Sequence, residues 1–248
     1  MAPLREDPLT HAGLEAAFIP SEGCRLLGGF YRAAGDDPRP AVLLLHGLPG
    51  HEKNLDLAVD LRQVGLHVLY LHYRGAWGSD GDFSCTHLVA DAAAGFEWLT
   101  QRPEVRPGRV ALVGFSLGGW VACMLAAERS PAALVAVAPL VDGRNVPLPR
   151  DLADESAATL HGTTADRLTA EWAGLPALGQ IASSLTGLPF LLVTGDRDPL
   201  FPPSHYDSLM SLPRLARIRF PQADHVFSDV RPGLRHVVAR WLVEQLGA

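Results

Sequence analysis

Short apolar runs alternate with amphipathic stretches along most of this chain. Ala41 to Leu45, His67 to Leu71, Val110 to Val113, Ala133 to Val137 and Phe190 to Thr194 are nearly unbroken apolar runs bounded by turn-forming residues. Runs of that length suit strands covered on both faces. Between them, Leu55 to Val64 and Leu88 to Thr100 read as helices, and Trp120, Val121, Met124 and Leu125 repeat at the three-to-four spacing of a helix packed on a sheet. Arg217 to Phe220 reads as the last strand and Leu234 to Leu246 as the last helix. At the front, Glu15 to Pro20 and Arg25 to Tyr31, joined by Ser21-Glu22-Gly23, predict an antiparallel hairpin. The pattern is that of an α/β protein: a mostly parallel sheet with helices on both faces.

The alternation breaks from Asp142 to about Gly187, where helices are expected at Asp151 to Leu160 and Thr164 to Trp172. We read this stretch as a small helical cap inserted over the active edge of one domain spanning 1–248. Leu168 and Trp172 lie four apart on one helix face, facing either the substrate or the domain beneath, and are its candidate substrate-binding residues.

Composition narrows the partners. The chain has 248 residues, a formal net charge of -6 and no basic run, which argues against nucleic acid or an anionic membrane. A small molecule is the better default, acting on a monomer or homodimer. Cys24, Cys85 and Cys123 are odd in number with no CxxC pair, so neither a disulfide framework nor a zinc site is suggested. Met1 to Thr10 carries Arg5, Glu6 and Asp7 without an apolar core, so no signal peptide is expected there. With no apolar stretch near the ~20 residues of a spanning helix, a cytoplasmic protein is expected.

The chemistry centres on Gly114-Phe115-Ser116-Leu117-Gly118. A serine at a sharp strand-to-helix turn needs flanking glycines, because side chains there would collide across the turn. Ser116 is therefore the candidate nucleophile. His46-Gly47-Leu48-Pro49-Gly50 follows a strand, where an open parallel sheet keeps its ligands. The Leu48 amide, with that of Leu117, is a candidate oxyanion donor, and His46 is expected to orient its loop. Asp198 and His225 each follow a later strand and are the candidate acid and base. Asp196 and Asp142 are alternative acids, and Asp224 reads as a loop-fixing carboxylate. His51, His67 and His72 match no metal-ligand spacing, and the glycines fit neither a dinucleotide fingerprint nor a P-loop.

Together, His46-Gly47, the glycine-flanked Ser116, Asp198 and Asp224-His225 resemble the α/β-hydrolase superfamily, whose triad follows this chain order. The loop from Tyr73-Arg74-Gly75 to Gly81-Asp82-Phe83, with Gly195-Asp196-Arg197-Asp198, is similar to short-cap bacterial esterases that include feruloyl esterases. It is also similar to the catalytic domains of prolyl oligopeptidases. The resemblance implies an α/β-hydrolase fold and hydrolysis without metal or organic cofactor, through an acyl-enzyme on Ser116, with a carboxylic ester as substrate. A peptidase or amidase would use the same residues, and a non-catalytic binding protein on this scaffold is the remaining alternative.

Overall fold

The structure, a computed structural model, describes residues 11–248. Met1 to Thr10, for which no signal peptide is expected, lies outside the described residues. Eight strands form one sheet: β1 (Gly13–Ser21), β2 (Cys24–Arg32), β3 (Arg39–Leu45), β4 (His67–Leu71), β5 (Val105–Phe115), β6 (Ala133–Val137), β7 (Phe190–Gly195) and β8 (Leu215–Phe220). Their spatial order is β1-β2-β4-β3-β5-β6-β7-β8. β2 pairs antiparallel with both β1 and β4, and the other pairs are parallel.

The apolar runs are strands because the two-residue period sends alternate side chains into two separate cores. Leu43, Leu45, Leu112, Leu134 and Leu192 point into one, shared with helices α2 (Leu88–Thr100) and α3 (Leu117–Glu128). Val42, Leu44, Val113, Val135 and Val193 point into the other, under α1 (Leu55–Gln63) and α6 (Arg231–Leu246). Truncating such a fully buried leucine to alanine costs roughly 2 to 5 kcal/mol.

Three elements differ from the sequence expectation in informative ways. α6 starts at Arg231 rather than Leu234, because Pro232 fits the first helical turn, where no amide partner is needed. β5 begins at Val105, ahead of the apolar run, through a pairing of Arg39 with Val105 that precedes an irregularity in the register. α3 is buried on almost every side, so it lacks the exposed face that its spacing suggested.

Between β6 and β7 the chain makes an excursion containing α4 (Arg150–Thr159), α5 (Ala165–Gly174) and two single 3-10 turns. It is rooted through its middle, from the connection between α4 and α5 into α5, on the loop after β4. The His161 amide donates to the Gly75 carbonyl at 2.8 Å and its carbonyl accepts from Phe83 N at 2.9 Å. Glu171 accepts from Ser84 Oγ and Cys85 N, each at 2.8 Å. That loop is itself anchored by Asp91, a fully buried carboxylate on α2 that accepts from Arg74 N, Arg74 Nε and Ser21 Oγ at 2.7–2.9 Å. Among the described residues, no helix is long and apolar enough to cross a membrane.

Candidate active site

β5 runs through the middle of the sheet and ends in a sharp turn at Ser116, with φ 55° and ψ -121°. Such a backbone costs of order 1–3 kcal/mol and persists only where its surroundings hold it. Here the Ser116 amide donates to Val137 O at 2.9 Å, and its carbonyl accepts from the amides of Gly119, Trp120 and Leu140. The flanking glycines are sterically required: a Cβ on Gly114 would lie 2.1 Å from the Gly118 carbonyl oxygen, and one on Gly118 would lie 2.3 Å from that of Leu45. The turn thus aims the Ser116 side chain away from the sheet end.

His225 meets that side chain. Its Nε2 lies 3.0 Å from Ser116 Oγ, and its Nδ1 lies 2.8 Å from Asp198 Oδ2. With Nδ1–H donated to the carboxylate, Nε2 keeps the lone pair that can accept the serine proton. The other Asp198 oxygen accepts from Leu200 N at 2.8 Å and Phe201 N at 3.0 Å, so the carboxylate is fixed at both ends. Phe115 and Phe201 flank the imidazole, at ring-centre distances of 5.3 and 5.1 Å.

The other carboxylates are engaged elsewhere. Asp196 forms a two-pronged ion pair with Arg219. Asp142 accepts from Arg144 N and Asn145 Nδ2 within its own turn. Asp224 fixes the loop around His225 by accepting from Ser228 N and Oγ. Burial pushes its pKa up, but the Ser228 bonds outweigh this and hold it below the usual carboxylate range.

On the opposite flank, β3 ends against His46, which is buried and donates from Nδ1 to the Gly47 carbonyl at 2.7 Å. Burial pushes its pKa down to about 4, so it is a neutral brace for its loop. Tyr73 packs on its ring at 4.7 Å, and Trp77 Nε1 donates to Pro49 O at 2.9 Å, fixing the same loop from outside. Gly47 sits so close that a Cβ there would come 2.9 Å from the Ser116 Cβ. Among the described residues no group accepts from the amides of Leu48 and Leu117, although their side chains are half-buried and buried. Two free N–H donors beside a serine can stabilise a developing oxyanion.

A cavity of about 230 Å³ opens on Ser116 and Leu48. The excursion contributes Val146, Leu152 and Trp172 to its lining, and the loop after Asp198 contributes Leu200 and Phe201. Trp172 is held there by donating Nε1–H to Val146 O at 2.8 Å. Leu168, the other candidate on this helix, does not line the cavity. It is fully buried in the core and packs α5 onto the domain beneath.

His51, His67 and His72 do not gather. His51 bonds Glu155, His67 bonds the backbone of Ala33 and Glu104, and His72 lies against His46 and Tyr70. Among the described residues no cluster of His, Cys, Asp or Glu is disposed to hold a metal ion. Burial raises the Cys85 thiol to about 12 and raises Cys123 as well, which leaves both unreactive.

Sequence reasoning missed Leu152, Val146 and Phe201. Only Phe201, three residues after Asp198, had a positional signal. It also missed His205, whose ring stacks on Phe201 at 4.6 Å while its Nε2 accepts from Val141 N.

Comparison with known proteins places this fold. Residues 23–225 match the family X-Pro dipeptidyl-peptidase (S15 family). An uncharacterized protein of Mycobacterium tuberculosis is 34% identical over 201 residues, covering 81% of this chain and 67% of that protein. The uncharacterized protein YfhR of Escherichia coli is 25% identical, over 90% of this chain and 77% of its own length. Among solved structures, Est1E from Butyrivibrio proteoclasticus with ferulic acid bound superposes with a TM-score of 0.76 at 17% identity, over 94% of this chain and all of that one (100%). The esterase Pf2001 from Pyrococcus furiosus gives 0.72 at 22% identity, covering 95% and 92% of the two chains. The chain has the α/β-hydrolase fold and belongs to the X-Pro dipeptidyl-peptidase family of hydrolases.

Proposed function

We propose that this hydrolase cleaves carboxylic esters through an acyl-enzyme on Ser116. The observation that carries the reading is the continuous relay from Ser116 Oγ to His225 Nε2 at 3.0 Å and from His225 Nδ1 to Asp198 at 2.8 Å.

In this mechanism His225 Nε2 takes the Ser116 proton as Oγ attacks the ester carbonyl carbon. The carbonyl oxygen becomes an oxyanion and accepts from the Leu48 and Leu117 amides, each such donor being worth roughly 3 to 4 kcal/mol of transition-state stabilisation. Collapse breaks the bond to the alkoxide, which leaves with the proton from His225. Water then gives its proton to His225 and attacks the acyl carbon, and the same proton returns to Ser116 Oγ as the acid departs. No step needs more than water as co-reactant.

Amide cleavage is the second reading, and the family's name favours it. An amine leaves only when protonated in place, whereas an alkoxide or phenolate makes no such demand. Initial rates on p-nitrophenyl acetate and on alanyl-prolyl p-nitroanilide, each beside Ser116→Ala, separate the two. Ester turnover that falls about 10⁴-fold or more in Ser116→Ala, with little anilide cleavage, is expected. Comparable anilide turnover would replace the ester reading, and full activity in folded Ser116→Ala would end both.

A further inference from the structure

We propose that the cavity beside Ser116 is an acyl site shaped for a short, uncharged, apolar acyl chain, and that Leu152 sets its length limit. The proposal rests on the ester-hydrolase reading above and adds the substrate class.

The side of the ester that fills the cavity follows from the proton path. The leaving group must reach His225 Nε2 to be protonated, and His225 does not line the cavity. Leu48, whose amide would hold the oxyanion, does line it. A carbonyl carbon on Ser116 Oγ with its oxygen toward Leu48 therefore directs the acyl chain into the cavity and the leaving group toward His225.

Charge comes next. No Asp, Glu, Lys, Arg or His contributes to the lining. An ammonium or carboxylate inside would lose its water without gaining a partner. Asp142, where the excursion begins, lines a separate cavity, and both its oxygens already accept hydrogen bonds. Release of a dipeptide from a peptide N-terminus would bring a free ammonium with the acyl group. This cavity offers that charge no counterpart, which sets the chain apart from the activity in its family's name.

Size and stiffness complete the argument. About 230 Å³ lies below the roughly 300–1,000 Å³ of pockets that take drug-sized ligands. Part of the wall belongs to the excursion, where Pro147 and Pro149 restrict the backbone beside Val146. Trp172 is bonded to Val146 O, and the root is tied down through His161 and Glu171. Leu152 is the lining residue that α4 contributes, and in this proposal it is the side chain that a longer acyl chain meets.

The test is kcat/KM for p-nitrophenyl esters from acetate to decanoate on the wild type, Leu152→Ala and Leu152→Phe, with Ser116→Ala as background. In the wild type the rate should peak at a short acyl chain and fall at least about tenfold by decanoate, the usual size of a methylene misfit. The decanoate-to-acetate ratio should rise at least about tenfold in Leu152→Ala and fall in Leu152→Phe. Using the ratio removes any general loss from imperfect folding, and the two variants move it in opposite directions. Methyl 6-aminohexanoate should turn over at least about 100-fold more slowly than methyl hexanoate, from the unpaired ammonium.

Two results would overturn the proposal while leaving ester hydrolysis standing: Ser116-dependent cleavage that is flat or rising with acyl length, or equal turnover of the amino and plain hexanoates. If Leu152→Ala instead changes selectivity along a series of alkyl acetates, the cavity holds the alcohol and the assignment is wrong. The absence of Ser116-dependent cleavage of any ester would remove the underlying reading itself.

Discussion

Ser116 has two unlike flanks. Toward the sheet, hydrogen bonds fix almost everything near it: its own backbone to Val137, Gly119, Trp120 and Leu140, His225 to Asp198, and Asp198 to the Leu200 and Phe201 amides. Toward the excursion it faces Val146, Leu152 and Trp172, which present apolar surface and whose one side-chain hydrogen bond, from Trp172 Nε1 to Val146 O, joins two of them to each other. Proton transfer tolerates little positional error, so it is built from directional bonds on strand ends. Selectivity for a chain length needs only shape, so side-chain packing suffices for it. The same division separates what can be altered without losing the chemistry from what cannot.

The sharpest way to break this comparison is on the hydrogen-bonded side. Asp198→Asn should lower kcat by about 10⁴, because the amide no longer fixes the imidazole tautomer. Asp196→Asn, which removes only an exposed pair with Arg219, should stay within about threefold of wild type in the same assay. A larger loss from Asp196 than from Asp198 would transfer the acid's role.

A somewhat smaller effect is expected where the two flanks are joined. Asp91 holds Arg74, the neighbour of Tyr73, and Tyr73 packs on His46 beside Gly47. The loop that Arg74 belongs to also carries Gly75 and Phe83, to which His161 of the excursion is bonded. Asp91→Ala leaves the guanidinium with only the exposed Glu22 and should cost about 3 to 5 kcal/mol in urea unfolding. Stability unchanged within 1 kcal/mol or so would mean that this buried pair is not what holds the loop.

How far each flank was legible in the sequence follows the same line. The fold was written in the five apolar runs, because strands buried on both faces leave few other options. That Ser116, Asp198 and His225 would meet was legible because each lies just past a strand end, in a short local pattern whose steric reason can be stated. Asp198 over Asp196 was the harder choice, since residues two apart in a loop are separated only by where Arg219 lies on a neighbouring strand. The excursion gave up its helices but not their directions. Thr164 caps α5 from its side chain as a sequence pattern can suggest, yet nothing local says that Trp172 faces the cavity while Leu168 faces the core. Asp91 was silent for the same reason: a carboxylate within an apolar helix carries no mark of the arginine that it meets after folding.

The smallest expected effect tests the excursion's root through its titration. Burial raises the Glu171 pKa, but hydrogen bonds from Arg167, Cys85 N and Ser84 outweigh it and hold the group below the ordinary glutamate value. A carboxyl depressed in the folded state adds stability that is present above its unfolded pKa of about 4.3, and loses it as pH falls through the lower folded value. Glu171→Gln should therefore lower Tm at pH 7 by about 2 to 4 °C, as expected for roughly 1 kcal/mol in a chain of this size. The gap between the two proteins should close as pH falls below about 4, with wild type losing the difference. Proteolysis should detect the loosened root first within 142–187, and the chain-length selectivity governed by Leu152 should weaken before the acetate rate does. A gap that persists at low pH would assign the effect to packing instead, and would make the excursion's root as apolar in its energetics as the wall it supports.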